Sequence, residues 1–143
     1  SIDDILPKLP QPKLPTIKLW LGAEELITEM ALTGQQQMIG MMHRTNVPEN
    51  EAMIFVHDQP RVASYWMKNC PAPLSIAYMD DSGTILEIRD MKAFDTNSVV
   101  SAAANIRFAL ETSQGWYQRH NVRTGMVIRT ERGSLHDTFF RGQ

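Results

Sequence analysis

Cysteine is almost missing from this chain: Cys70 stands alone. No internal disulfide can staple the fold, so stability has to come from packing. An excess of positive charge is missing as well. The 14 Lys and Arg face 16 Asp and Glu, for a formal charge of −2, and no basic block or stripe interrupts the mixture. Such a surface gains little from counterion release on phosphates, so DNA and RNA are not expected partners. Long apolar runs are lacking too. Stretches such as Ala52 to Val56 and Ile76 to Met79 fall far short of the ~20 residues a membrane-spanning helix needs. The 4 histidines show no His-x-x-x-His spacing, which removes the usual signal for a structural zinc site. There is no internal repeat.

What is present is an ordinary globular composition, 43% hydrophobic and 21% charged over 143 residues, a length that supports one core rather than two. Pro7, Pro10, Pro12 and Pro15, interleaved with Lys8, Leu9, Lys13 and Leu14, give residues 1–15 an extended polyproline character. This segment reads either as a spacer between an anchor or export signal and the domain, or as a tail lying on its surface. Residues 16–143 then form a single β-rich domain.

Thr16 to Leu21 alternates Ile17, Leu19 and Leu21 with polar neighbours, the pattern of a half-buried strand. Gly22-Ala23 turns the chain into a second strand near Leu26 to Leu32. Thr33 suits the N-cap of a helix from Gly34 to about Met42, with Met38, Met41 and Met42 at the spacing of one face. Ala52 to Val56 reads as a buried strand closed by a turn at His57-Asp58-Gln59-Pro60, with another strand over Val62 to Met67. The two prolines of Cys70-Pro71-Ala72-Pro73 demand a loop. Leu74 to Met79 and Thr84 to Ile88 flank Asp80-Asp81-Ser82-Gly83, a hairpin signal that pairs them antiparallel. A strand over Asn105 to Glu111, a short helix over Ser113 to His120 and a last strand over Met126 to Thr130 complete the chain. The expected fold is mainly β: a small antiparallel sandwich or partly open barrel with two short peripheral helices.

The order of these segments and several short strings resemble the family known as domain of unknown function 192, from about Glu25 to Arg129. The most specific string is Tyr65-Trp66-Met67-Lys68-Asn69-Cys70 followed by Pro73-Leu74, similar to that family's aromatic-Trp-Met-Lys-Asn-Thr and Pro-Leu-Asp signature. Gly40-Met41-Met42-His43-Arg44, Met53-Ile54-Phe55-Val56, Leu110-Glu111, Gly115 and Thr124-Gly125 support it. The departures are Gln36-Gln37 for Glu-Arg, Cys70 for Thr, Ser75 for Asp and Met126 for Asp. The resemblance implies a compact β sandwich or barrel with peripheral helices, often found after an export signal or anchor, and no known reaction. It therefore carries the expectation of an exported, periplasmic or membrane-anchored protein.

The stretch from Tyr65 to Pro73 is the candidate site. Along an extended strand Trp66 and Lys68 would share one side and Tyr65 and Met67 the other. An aromatic plane beside an ammonium suits a small molecule, glycan or peptide with an apolar face and an anionic group, and Asn69 and Arg44 could join it. The alternative is structural: Trp66 as a core plug, Lys68 snorkelling along it, and Asn69 holding the proline loop. Cys70 with His43, His57, His120 or His136 as base would make a thiol nucleophile, although a lone cysteine is more often a small buried hydrophobe. Met38, Met41, Met42 and His43 could hold Cu(I), or simply fill a helix face. Asp80 and Asp81 serve the hairpin turn itself. No catalytic constellation and no cofactor is implied. An accessory or ligand-binding domain is the expected role, with a hydrolase-like enzyme acting on an envelope polymer and a protein-interaction module as alternatives.

Overall fold

The alternating strand at Thr16–Leu21 pairs with Glu24–Ala31 in an antiparallel hairpin around Gly22, whose φ of 66° suits the turn. The computed structural model describes residues 1–142. In chain order it contains α1 (Ile2–Ile5), β1 (Thr16–Leu21), β2 (Glu24–Ala31), α2 (Gly34–Ile39), β3 (Glu51–Arg61), β4 (Ser64–Tyr65) and β5 (Leu74–Met79). There follow β6 (Ile85–Met91), β7 (Val99–Val100), β8 (Ile106–Ser113), α3 (Trp116–Arg119), β9 (Ile128–Thr130), β10 (Gly133–Ser134) and α4 (Leu135–Phe140).

Eight strands form one mixed sheet in the order β10-β9-β1-β2-β3-β8-β5-β6, while β4 and β7 make a separate pair. Only β2 and β3 run parallel, joined by the crossover that contains α2. The far ends of the sheet meet at one antiparallel bridge, Thr84 with Val127, and the sheet does not close into a barrel. The fold is thus mainly β around one large sheet, with short helices at its margins. A purely antiparallel arrangement, as the sequence suggested, is corrected by the β2–β3 pair.

Both faces of the central strands are covered, so β5 is buried at every residue and β8 at all but Ser113. One core lies on the face carrying Leu19, Ile54, Met79, Phe108 and Leu110, plugged by Trp116, Tyr117 and Phe140. The other lies on the face carrying Met53, Phe55, Ile76, Tyr78 and Ala109, and takes in Met41, Met42, Met67, Cys70 and Leu6. Residues 6–15 run outside helix and strand and lie against this second face, to which Leu6 and Leu14 contribute. Gln11 Nε2 donates to the carbonyls of Gln36 and Gly40 at 3.1 and 3.0 Å, and the Leu14 amide donates to Glu29 at 2.9 Å.

Several boundaries differ from the sequence reading for physical reasons. Thr33 does cap α2, its Oγ1 accepting from the Gln36 amide at 3.1 Å, yet the helix ends at Ile39 because Gly40 takes φ 49° and breaks the repeat. Met41 and Met42 therefore turn into the core while Met38 stays 53% exposed on the helix. Strand β3 runs on through His57 to Arg61 where a turn was expected, absorbing the polar stretch as a register shift against β8. The strand expected over Val62 to Met67 shrinks to Ser64–Tyr65. The third helix is limited to Trp116–Arg119, and two further helices, α1 and α4, escaped the sequence reading. The Asp80–Gly83 hairpin forms as expected, Asp80 Oδ1 accepting from the Ser82 and Thr84 amides.

Candidate functional site

Strand β4 leaves its two-stranded ladder at Tyr65, and the next residues turn rather than extend. The Met67 amide donates to Asp95 O at 2.8 Å and the Cys70 amide to Met67 O at 3.0 Å, a turn that seats Met67 in the core. Asn69 takes φ 60° at its corner, where its small polar side chain tolerates the left-handed region. Strand alternation therefore does not place Trp66 beside Lys68. The turn does so instead, with Lys68 Nζ 6.0 Å from the centre of the Trp66 ring. Trp66 is 36% exposed, so it is not the core plug; Trp116, at 1%, is.

Trp66 and Lys68 border a cavity of about 400 Å³ between α2 and β4, whose walls include Met38, Phe55 and Tyr65. Glu111 of β8 also lines it. Flanked in the sheet by Met53 and Ile76, this carboxyl is only 4% exposed, and burial alone pushes its pKa up to about 8. No hydrogen-bond donor among the described residues offsets that burial. A carboxyl so little exposed, neutral at pH 7 and open to the cavity, is unusual for a residue that normally stays at the surface.

The neighbouring groups cannot neutralise it. Burial, reinforced by the charge of Glu111, raises the Tyr65 and Tyr78 phenols well above their ordinary range and pushes the Cys70 thiol up to about 12. Cys70 is accordingly a protonated thiol whose Sγ approaches Lys68 O at 3.5 Å, unsuited to act as a nucleophile. None of the histidines bonds to it. His43 Nε2 reaches Pro7 O, His57 bonds Tyr65, His120 lies between Glu24 and Glu49, and His136 pairs with Asp81.

Lys68 itself forms an ion pair with Asp3 at 2.8 Å, so the first helical turn covers the ammonium that the sequence offered to a ligand. Arg44 does not join this cavity. It makes a two-pronged ion pair with Glu29, one arm at 2.9 Å, and borders a separate cavity of about 370 Å³. Burial pushes the Glu29 carboxyl up, but hydrogen bonds from Arg44 and the Leu14 amide, with the charges of Arg44 and Lys13, outweigh it and hold it below the usual range. Asn69 serves the loop: its side chain approaches Met42 Sδ at 3.8 Å and its carbonyl accepts from the His43 amide at 2.7 Å. The methionine set is divided between solvent-facing Met38 and buried Met41 and Met42, so one helix face does not carry it.

Glu111 was missed as a site residue because a strand reading assigns residues to faces and says nothing of what lies above each face. A signal existed. It is the one acid in Ile106–Ser113, directly after a run made of Ile, Phe, Ala and Leu with Arg107.

A family model described as DUF192, Uncharacterized ACR, matches residues 19–130. No curated protein matches the chain. A crystal structure of a protein of unknown function from Novosphingobium aromaticivorans is similar, with a TM-score of 0.76 and 25% identity over 84% of this chain and 89% of the other. A Sinorhizobium meliloti protein, named provisionally as a transcription regulator, superposes with a TM-score of 0.79 at 22% identity, over 84% of this chain and 97% of that one. At that identity the second likeness shows the fold alone.

Proposed function

Because the chain belongs to the DUF192 family, which has no assigned reaction, we propose its function from the cavity: it is a ligand-binding domain whose site lies between α2 and β4. The observation that carries this reading is Glu111, an acid only 4% exposed that lines a cavity of about 400 Å³ and whose carboxyl bonds to none of the described residues. Burying an acid costs stability, and its place in a cavity lining gives that cost a use if a ligand completes its bonding. The walls supply the rest of a small-molecule site, apolar contact from Met38, Phe55 and Trp66 with polar groups at Tyr65 and Lys68.

A hydrolase is less well supported. The cavity holds a single carboxyl, and its thiol is protonated, so neither a carboxylate pair nor a nucleophile with its base is assembled there. An exported or envelope-held location belongs to the same proposal and rests on the family resemblance; fractionation of cells expressing the natural gene product tests it.

The direct test is a thermal-shift screen of the purified chain against small amines, acids, sugars and short peptides, repeated on Trp66→Ala and Glu111→Gln. A ligand at a hundred times its Kd adds about 2.7 kcal/mol, a shift of several degrees. Shifts lost in both variants support the site. A ligand whose shift survives both variants binds elsewhere and removes the assignment.

A further inference from the structure

Resting on that reading of the cavity, its own walls narrow what enters it. Glu111 is the one acid among the lining residues, and although Arg61 and Lys68 line the same cavity, neither bonds to it or offsets its burial. Tyr65, Tyr78, Tyr117 and Cys70, the titratable neighbours that feel its charge, are all held in their neutral forms by burial. His57, bonded to Tyr65, is kept neutral too, since burial lowers its pKa. Of the two cations in the lining, Lys68 is committed to Asp3, and Arg61, exposed to solvent, acts on Tyr65 and His57 rather than on Glu111. A carboxylate at this position therefore lacks a counter-ion among the described residues.

The aromatic walls are suited to a cation. Phe55 and Tyr65 meet edge to face with ring centres 5.0 Å apart, and Trp66, 36% exposed with Lys68 Nζ 6.0 Å from its centre, adds a third aromatic surface. Aromatic faces attract ammonium and guanidinium groups, most strongly where water is excluded, and a thioether such as Met38 supplies polarizable contact for an alkyl stem. We propose that this cavity binds an organic cation, an ammonium or guanidinium group on an apolar stem, with Glu111 as its counter-ion and Phe55, Tyr65 and Trp66 as its aromatic walls.

The proposal fixes a proton balance. Without ligand the Glu111 carboxyl is protonated at pH 7; when the cation enters, the carboxylate forms and the proton passes to solvent. Cation affinity then rises with pH, by roughly tenfold per unit below the carboxyl's pKa, and levels off above it. A neutral hydrogen-bond acceptor would do the reverse, binding the protonated carboxyl and weakening as it ionises.

Isothermal titration of the full chain with n-hexylammonium, hexylguanidinium, 1-hexanol and hexanoate, from pH 6 to 9, tests this. Measurement in two buffers of different ionisation enthalpy reads the released proton directly on the wild-type chain. The expected result is saturable binding of the two cations, close to one proton released at pH 7, and a loss of at least tenfold in affinity in Glu111→Gln. Hexanol or hexanoate binding that depends on Glu111, with the cations silent, overturns the cation class and leaves the ligand site standing. Cation binding without proton release, or unchanged in Glu111→Gln, overturns the proposal as well. Silence from all four probes overturns it, and takes the ligand-site reading with it if the broader screen is also silent.

Discussion

The Tyr65 hydroxyl lies 2.6 Å from His57 Nε2, and the other ring nitrogen of His57 lies 3.1 Å from the Ile106 carbonyl. A carbonyl only accepts, so His57 carries its proton on Nδ1 and Tyr65 donates to Nε2. The pair fixes the ring of Tyr65 against Phe55 and so sets one wall of the cavity. Tyr65→Phe would leave the buried imidazole with an empty acceptor. We expect a loss of about 1–3 kcal/mol, read as a lower urea midpoint with an unchanged slope. An unaltered midpoint would show that the hydrogen bond contributes nothing.

Glu111 makes stability fall as pH rises. Its folded pKa of about 8 stands above the ordinary value of 4.5, so the folded state holds the proton more tightly than the unfolded chain. The penalty is absent below pH 4.5, grows between 4.5 and 8, and is complete above 8. Glu111→Gln removes it. The variant should match the wild type near pH 4.5 and exceed it by a few kcal/mol, on the order of 3–5, at pH 8.5. Parallel stability curves for the two proteins across that range would exclude a raised carboxyl pKa.

The two tryptophans at residues 66 and 116 should respond oppositely to truncation. Trp116 is buried with Tyr117 and stacks on His120 with ring centres 4.4 Å apart, so Trp116→Ala should cost about 3–5 kcal/mol. Trp66, at the cavity border, should cost less than about 1 kcal/mol. Equal losses from chemical denaturation would put Trp66 back in the core.

Arg44→Ala isolates the Glu29 carboxylate, whose side chain is only 4% exposed. The expected loss is about 2–4 kcal/mol, moderated because Lys13 remains 3.8 Å away. Glu29→Gln combined with Arg44→Met should recover much of it, since no charge is then left buried alone. A double variant as unstable as the single one would show that packing, not charge, is what Arg44 contributes.

What could be seen in the sequence was local. The Asp80-Asp81-Ser82-Gly83 turn, the Thr33 cap and the alternation of Thr16 to Leu21 each depend on neighbours within a few residues, and each forms where it was expected. The Trp66-Lys68 neighbourhood was also seen, though for the wrong reason: a turn closed by Met67 and Cys70 produces it, not a strand. The end of α2 at Gly40 was harder to see because one positive φ outweighed the apolar spacing of three methionines.

By itself the sequence determined a β-rich domain, its Asp80–Gly83 hairpin and its kinship with DUF192, because turn chemistry, caps and period-two patterns are carried by residues next to one another. The tertiary structure alone decided that Glu111 would be a buried carboxyl in a cavity, that Arg44 would belong to Glu29, and that Lys68 would meet Asp3. Those relations join residues many positions apart, and burial and charge pairing are properties of the space between strands rather than of the order along any one of them.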